Sequence, residues 1–371
     1  YGATSNEDGL NLHTSIHRKN NSFDMLLTPE ELKQQTRELW KTCFPTDSEE
    51  FLDIYFEDKY TDASNITRRE GTQVVAAGQL LPYSMNFYGS TVHTGYFSGV
   101  GTLPEYRGYG LASQIISEGH RRLYEQGGVL SFLIPGNEEL RHFYERPQHG
   151  AFWTSTFRAE VELTPTGEED AHIVIEEPEE WGENLYVYYQ QRCRTYPFIF
   201  KSSLNDFFAA LETCDLEGGF VLVARNKSRI VGLCWGVQES DGRVMLRDIV
   251  VSDYRVQNLF VTYLCRKYAV EHIYDRGACA GAIKGAQPYA MARVVNVVKF
   301  FKTILLQHPG FELSIGIDGD LDVPENNGFY MLRGGEVFIV EDRPSQIITP
   351  GGLAAMFLGS QPVIVRNMLD E

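Results

Sequence analysis

The chain has 371 residues, of which 43% are hydrophobic, and its 50 acidic and 33 basic residues give a formal net charge of −17. This length predicts two or three domains, each with its own hydrophobic core. The negative charge disfavours nucleic acid and anionic membranes as partners, and it suits either a cationic small-molecule ligand or solubility alone.

The six cysteines form no CxxC pair and no zinc spacing with histidines, which predicts reduced thiols and no bound metal. Residues 1–25 contain no apolar core of a signal peptide, and no apolar run is long enough to cross a bilayer. The sequence therefore predicts a cytoplasmic protein with neither a membrane nor a nucleic acid as partner.

The first predicted domain covers residues 26–165. Its helices are expected from Thr28 onward, through Phe51–Phe56, and over residues 109–126 and 138–145; its strands are expected at 72–81, 84–87, 91–100, 129–134 and 151–163. The resulting order is α-α-β-β-β-α-β-α-β.

A glycine-rich turn joins the third strand of this domain to the helix that follows, over Val100–Ala112. Pro104 closes the strand, and apolar residues then recur at helical spacing on one face, at Leu111, Ile115, Ile116 and Leu123. Free N–H groups at such a helix start can hold a pyrophosphate if glycines let the backbone approach it. A P-loop is excluded because no Lys-Ser/Thr pair follows, and a dinucleotide fold is excluded because GxGxxG is absent. A turn without ligand is the alternative.

The second predicted domain, residues 166–284, repeats this strand-turn-helix pattern, with strands at 219–225, 230–239 and 244–251 before a helix near Tyr254. Its turn lacks glycine, which predicts that it does not bind a cofactor. The third, residues 285–371, is expected to run from Tyr289 into a helix that ends at Leu306, followed by three strands and a helix over 350–358.

The sequence Arg107-x-x-Gly110-x-Ala112 resembles the coenzyme A signature of the GNAT N-acetyltransferases. By this resemblance, acetyl-CoA is the co-substrate, and two groups of residues bind it. The pyrophosphate group is expected at Arg107, Gly108, Tyr109, Gly110, Ala112 and Ser113, and the pantetheine arm at the backbone of Val100 and Thr102.

The three predicted domains together resemble the enhanced intracellular survival family of acetyltransferases. The specific pieces are Phe143-Tyr144 before Gly150, the stretch Met291–Asn296 and the stretch Gly351–Gly359. The resemblance implies an α+β fold with an active GNAT domain, a degenerate GNAT domain and a sterol-carrier-like domain. It also implies acetylation of amines, on aminoglycosides in some members, and a homo-oligomer that is a hexamer.

The same resemblance assigns catalytic roles. Tyr144 is expected to protonate the departing thiolate, although a tyrosine in an amphipathic helix also serves as a core residue. The base is expected to be the main-chain carboxylate of Glu371, with a frayed tail as the equal alternative. His142 and His149 flank Tyr144 and are weaker candidates for a base that acts through a water.

An acceptor cleft can only be guessed from the sequence. Candidates to line it are the aromatic residues Phe23, Tyr83, Tyr88 and Phe97, with Trp40 nearby in sequence, and the acidic residues Asp24 or Glu57. Core packing is the favoured role for most of these aromatic side chains. The leading hypothesis is N-acetylation of a cationic, aminoglycoside-like or polyamine-like amine. The alternatives are acetylation of a protein lysine or N-terminus, and a lipid-binding protein that senses CoA.

Overall fold

A computed structural model describes residues 27–167 and 170–365. These residues form nine α-helices and eighteen strands in three sheets. In chain order the elements are α1 (Pro29–Cys43), α2 (Glu49–Asp58), β1 (Asn65–Glu70), β2 (Gln73–Phe87), β3 (Ser90–Thr102), α3 (Leu111–Glu125), β4 (Leu130–Leu133), α4 (Glu138–Glu145), β5 (Trp153–Thr154), β6 (Phe157–Leu163), β7 (Ile173–Glu176), α5 (Glu183–Cys193), β8 (Ile199–Lys201), α6 (Leu204–Leu216), β9 (Phe220–Asn226), β10 (Arg229–Gln238), β11 (Val244–Val251), α7 (Tyr254–Tyr268), β12 (Ile273–Cys279), β13 (Gln287–Pro288), β14 (Met291–Val294), α8 (Val297–Gln307), β15 (Leu313–Ile317), β16 (Gly328–Arg333), β17 (Glu336–Val340), β18 (Ile347–Ile348) and α9 (Pro350–Leu358). None of the helices in this part of the chain is long and apolar enough to cross a membrane.

The first sheet has the strand order β1-β2-β3-β4-β14-β5, and β8 pairs with β2. Only the β3–β4 pair in it is parallel, with α3 as the crossover between the two strands. One face of the sheet packs on α3 through Ile115, Ile116 and Leu123. These are the residues whose helical spacing predicted an apolar stripe, so the pattern of the helix is confirmed.

The second sheet has the order β13-β6-β12-β11-β10-β9-β7. Its β11 and β12 are parallel and are joined through α7, which repeats the β3-α3-β4 unit of the first sheet. One face packs on α5 and α6, and the other on α7. The described chain therefore contains the same strand-helix-strand unit twice.

The third sheet has the order β17-β16-β15-β18. Tyr330 and Leu332 of β16 belong to a single buried cluster that includes α8, α9 and the second face of the first sheet. The alternate side chains of β16 that are buried, Tyr330 and Leu332, therefore pack between the third sheet and the first. In β17, by contrast, Phe338 and Ile339 are exposed.

Several elements of the structure differ from the prediction. No strand was expected at β1, whose sequence is polar and charged, yet it pairs along its whole length with β2. The strands expected at 72–81 and 84–87 form one continuous strand, β2. The single strand expected over 151–163 is two strands in different sheets, because the chain leaves the first sheet after β5 and enters the second at β6.

Strand β14 was expected to belong to the start of a helix, but it inserts between β4 and β5 of the first sheet. Its Arg293 is completely buried, and its guanidinium lies 2.5 Å from Asp320 and 3.5 Å from Asp322. Asp322 also lies 2.7 Å from Nδ1 of buried His120 on α3. This network ties the loop after β15 to the helix that follows the glycine-rich turn.

The predicted domain bounds therefore do not coincide with sheet membership at two places. Strand β6 lies in the segment 26–165 and pairs in the second sheet, and β14 lies in the segment 285–371 and pairs in the first. The division of the chain into three domains at residues 165 and 284 stays a prediction.

Candidate active site

The first sheet splits open between β3 and β4. Their parallel pairing covers only Thr94–Tyr96 against Leu130–Phe132. Beyond it, β3 continues to Thr102 against β2, while Leu133 of β4 is held by β14. The edge of β3 from residue 97 onward therefore has no strand partner on the β4 side within the described residues. Such an edge offers main-chain groups to an extended ligand.

The glycine-rich turn lies where β3 ends and α3 begins. Gly108 and Gly110 adopt left-handed conformations, with φ of +86° and +75°, and a Cβ built on either would meet no atom within 4 Å. Gly110 is the N-cap of α3, and no side chain caps the helix. The start of α3 thus has no side-chain cap, and the space over Gly108 and Gly110 is open, as an anion-binding helix start requires.

Two side chains of the turn have partners. Arg107 folds back, and its Nε donates to the carbonyl oxygen of Thr102 at 3.1 Å. Ser113 Oγ lies 2.6 Å from Nδ1 of His149. Tyr109 is 73% exposed. The backbone of the turn is therefore presented to solvent, while the side chain of Arg107 is held against β3.

A cavity of about 740 Å³ opens beside the split. Its walls are the α1–α2 connection, β3 from Tyr96 to Val100, the end of β4, and α4. The opposite wall comes from α6 and from Trp235 and Arg247 of the second sheet. Both sheets therefore shape one space that begins at the unpaired edge of β3.

Tyr144 lies on α4 and lines this cavity. It is 7% exposed and packs against Phe143 and Phe152, and its carbonyl accepts a hydrogen bond from the amide of Phe152. Burial raises the pKa of its hydroxyl to about 12. The Tyr144 hydroxyl is therefore protonated at neutral pH and can act as a proton donor.

The charged groups at the cavity are few. Asp47 accepts a hydrogen bond from the indole Nε1 of Trp40 at 2.7 Å. Glu217 and Arg247 form an ion pair with an N–O distance of 3.0 Å. Because the indole is neutral and the other pair cancels, Asp47 leaves the cavity with a net negative charge. Trp40 and the rings of Phe44 and Phe51 supply an aromatic wall beside it.

Comparison with known families agrees with this geometry. Residues 26–150 match the family model described as an acetyltransferase (GNAT) domain. The chain carries a GNAT acetyltransferase domain. The matched segment contains the split of β3 and β4, the glycine-rich turn and Tyr144, and the protein is accordingly an acyltransferase. GNAT enzymes take the acyl group from acetyl-CoA.

Solved structures show the fold of nearly the whole chain. A probable N-acyltransferase of Enterococcus faecalis matches with a TM-score of 0.72 at 18% identity, over 90% of this chain and 89% of its own. A GCN5-related N-acetyltransferase of Anabaena variabilis gives 0.71 at 18% identity, over 89% and 88%. Eis1 of Mycobacterium abscessus gives 0.70 at 12% identity, over 91% and 89%. No curated protein sequence matches the chain.

In the second sheet of the acyltransferase the helix equivalent to α3 is α7, and a side chain caps its N-terminus. Asp253 is the N-cap of α7, and its carboxylate accepts from the amides of Arg255 and Val256 at 2.9 and 3.3 Å. A carboxylate thus already occupies the start of α7, whereas the start of α3, at Gly110, has no side-chain cap. A pyrophosphate would be repelled there by the carboxylate charge.

Val100 and Tyr144 line the cavity, whereas the turn from Arg107 to Ser113 does not line it. The turn is linked to α4 through His149, which lies beside Ser113 and stacks on Phe143. Thr102 ends β3, and its carbonyl oxygen accepts a hydrogen bond from Arg107. Glu371 lies outside the described residues, as do Phe23 and Asp24.

The residues suggested for the acceptor cleft are divided between the cavity and the packed interior. Trp40 and Phe97 line the cavity. Tyr83 instead hydrogen bonds to Lys59 and Asp206, and Tyr88 packs against Phe357. Glu57 is exposed and does not line the cavity.

Sequence reasoning missed Asp47 and the wall formed by α6 and β11. Asp47 follows Pro45 in a connection with no motif of its own. Residues of α6 are about 110 positions later than β3, and no local pattern links the two. Only the packing of the second sheet against the first brings them together.

Proposed function

We propose that the protein transfers an acetyl group from acetyl-CoA to an amine of a cationic small molecule, aminoglycoside-like or polyamine-like, in the cavity of the GNAT domain. The observation that carries the proposal is that the unpaired edge of β3 and the buried hydroxyl of Tyr144 line the same cavity. In this proposal the glycine-rich turn binds the pyrophosphate and the edge of β3, at Val100 and Thr102, binds the pantetheine arm.

The reaction joins the amine nitrogen to the thioester carbonyl carbon and breaks the carbon–sulfur bond. The sulfur leaves as a thiolate and takes a proton from the Tyr144 hydroxyl. The amine gives up one proton to a base, so the products are an amide and free CoA. The phenolate of Tyr144 is then reprotonated from solvent or by the base.

Burial supports Tyr144 in this role. A thiol has an ordinary pKa of about 8.5, below the value of about 12 that burial gives the hydroxyl of Tyr144. The same burial disfavours a thiolate that forms beside Tyr144 and raises its pKa as well. The Tyr144 hydroxyl therefore keeps its proton until a thiolate forms beside it.

The charge of the cavity supports a cationic acceptor. Asp47 carries the uncompensated negative charge of the cavity lining, which attracts an ammonium group. The cavity has walls from two sheets and is partly open to solvent, so its shape does not by itself choose between a small molecule and a protein tail. Acetylation of a protein lysine is the alternative that an open groove would favour.

The main-chain carboxylate of Glu371 is the proposed base. The carbonyl of Val365 accepts a hydrogen bond from Nη2 of Arg158 at 2.8 Å. Arg158 lines a groove that shares Arg247 with the cavity. Removing residues 369–371 should abolish turnover and spare acetyl-CoA binding, and unchanged turnover would refute this base.

We also propose the remaining expectations from the family resemblance. The repeated β-α-β unit and the carboxylate cap of α7 support a degenerate GNAT domain at 166–284 that binds no CoA. A sterol-carrier-like domain at 285–371, membership of the enhanced intracellular survival family, a hexameric assembly and a cytoplasmic location stay predictions.

The test of the proposed function is release of free CoA thiol from acetyl-CoA by purified protein, against aminoglycosides, polyamines and lysine peptides. Turnover with the polycationic small molecules supports the proposal. Turnover with lysine peptides alone would establish the alternative acceptor. Failure to bind acetyl-CoA would refute the assignment of the glycine-rich turn.

A further inference from the structure

His149 sits beside the start of α3, at the end of the 3-10 turn Pro147–His149 that follows α4. Its Nδ1 lies 2.6 Å from Ser113 Oγ, and its ring stacks on Phe143 with centroids 3.9 Å apart and an angle of 11° between the planes. Gly150 follows with φ +107°, and a Cβ there would come within 2.8 Å of Ile116 on α3. The turn is therefore packed closely against α3 and holds His149 in place.

We propose that His149 and Ser113 form a hydrogen-bond relay that binds the pyrophosphate of acetyl-CoA, with His149 as the positioning residue and Ser113 as the group that contacts phosphate. The proposal rests on the proposed function, because it takes acetyl-CoA as the ligand of the glycine-rich turn. It adds a residue outside that turn and a proton dependence to cofactor binding.

Whether the Ser113 hydroxyl can donate to phosphate depends on whether Nδ1 of His149 carries a proton. When Nδ1 carries a proton, it donates to Ser113 Oγ, and the hydroxyl hydrogen of Ser113 is free to donate to a phosphate oxygen. When Nδ1 is unprotonated, Ser113 donates to it and has no hydrogen left for phosphate. The protonated imidazole always has the useful Nδ1–H, and it adds a positive charge near the anion.

The surroundings favour the neutral ring before the cofactor binds. Burial, and then the positive charge of Arg146, lower the pKa of His149. The other elements packed on it present the uncharged groups Ser113 from α3 and the ring of Phe143 from α4. On the far side of the turn, Gly319 lies against Pro147.

A bound pyrophosphate stabilises the charged ring, so binding takes up a proton. The affinity must then rise as the pH falls. The sign follows from linkage alone: the complex binds more protons than the free protein over the range in which His149 titrates.

The test measures the dissociation constant by calorimetry between pH 5.5 and 8.5. Dephospho-CoA is the probe, because the 3′-phosphate of CoA itself titrates near pH 6. For the wild type we expect affinity about 10-fold tighter at the acid end, the size of one added charge-assisted hydrogen bond.

Two variants isolate the relay. His149→Phe keeps a flat ring to stack on Phe143 and removes Nδ1, and Ser113→Ala removes the hydroxyl. Both should lose the pH dependence and bind about 10-fold more weakly at pH 5.5. His142→Phe is the matched control, since His142 is exposed on α4 and pairs with Glu145. It should keep the wild-type profile.

Three outcomes would overturn the relay. They are a wild-type affinity that does not change with pH, a His149→Phe profile like that of the wild type, or loss of pH dependence in His142→Phe. The first two leave the proposed function standing, because acetyl-CoA still binds and turns over. If neither dephospho-CoA nor acetyl-CoA binds at any pH, the proposed function and the relay are refuted together.

Discussion

A glycine at the start of α3 can serve the left-handed backbone or the close approach of the pyrophosphate. Replacing Gly110 by alanine separates these two roles. Gly110 has φ +75°, and a left-handed alanine costs about 1–2 kcal/mol. An added Cβ would clash with nothing, since no atom lies within 4 Å of it. The free energy of unfolding should therefore fall by no more than the cost of this backbone strain.

The effect on the cofactor should be larger. The open space over Gly110 is where a pyrophosphate must approach the amides of α3, and a methyl group there holds it away. Losing one or two hydrogen bonds to a charged group costs about 1.5–3 kcal/mol each. Gly110→Ala should therefore raise the dissociation constant of acetyl-CoA about 10- to 100-fold or more.

Gly71 provides the matched control. It lies in the turn between β1 and β2 with φ +59°, and a Cβ there would also meet nothing within 4 Å. Gly71→Ala should lower the melting temperature as much as Gly110→Ala does and leave acetyl-CoA binding unchanged. Calorimetric titration of both variants decides the matter. Wild-type affinity in Gly110→Ala, or an equal loss in Gly71→Ala, would refute the reasoning.

Three further predictions concern the cavity and the core. Tyr144→Phe should lower kcat at least 10-fold with an unchanged KM for acetyl-CoA, and an undiminished kcat would remove Tyr144 from the mechanism. Because burial raises the pKa of Tyr144 to about 12, wild-type kcat should not fall between pH 8 and 10 through loss of this proton. Asp47→Asn keeps an acceptor for Trp40 but loses the charge, so the KM of a polycationic acceptor should rise about 5-fold at low salt, and an equal rise for a neutral amine would contradict this. Arg293→Met leaves Asp320 and Asp322 buried without their cation, and urea titration should show a loss of about 3–5 kcal/mol, whereas near wild-type stability would mean that those carboxylates find other partners.

The helices with strong local signals were predicted from the sequence. Thr28 and Glu31 form a reciprocal cap at the start of α1, with N–O distances of 3.2 and 2.8 Å, as the sequence Thr-Pro-Glu-Glu indicates. The left-handed glycines and the uncapped start of α3 likewise depend on residues within a few positions of one another. Local chemistry is sufficient where each contact joins near neighbours in the chain.

Strands β1 and β14 were not predicted, because local sequence signals do not specify them. The charged sequence of β1 has no alternation that would predict a strand, and it is extended only because β2 pairs with it. The four residues of β14 pair with β4, about 160 positions earlier. Strand pairing of this kind is a property of the whole fold and leaves little trace in a short segment.

The amino-acid sequence by itself determined the glycine-rich turn, the amphipathic helix behind it and the tyrosine that follows, because backbone conformation and helical periodicity are set by adjacent residues. Tertiary structure alone decided that this tyrosine is buried beside an open strand edge, that Asp47 gives the cavity its charge, and that α6 closes the far wall. These features arise from the burial of apolar faces against one another, and that packing joins residues whose separation along the chain carries no periodic signal.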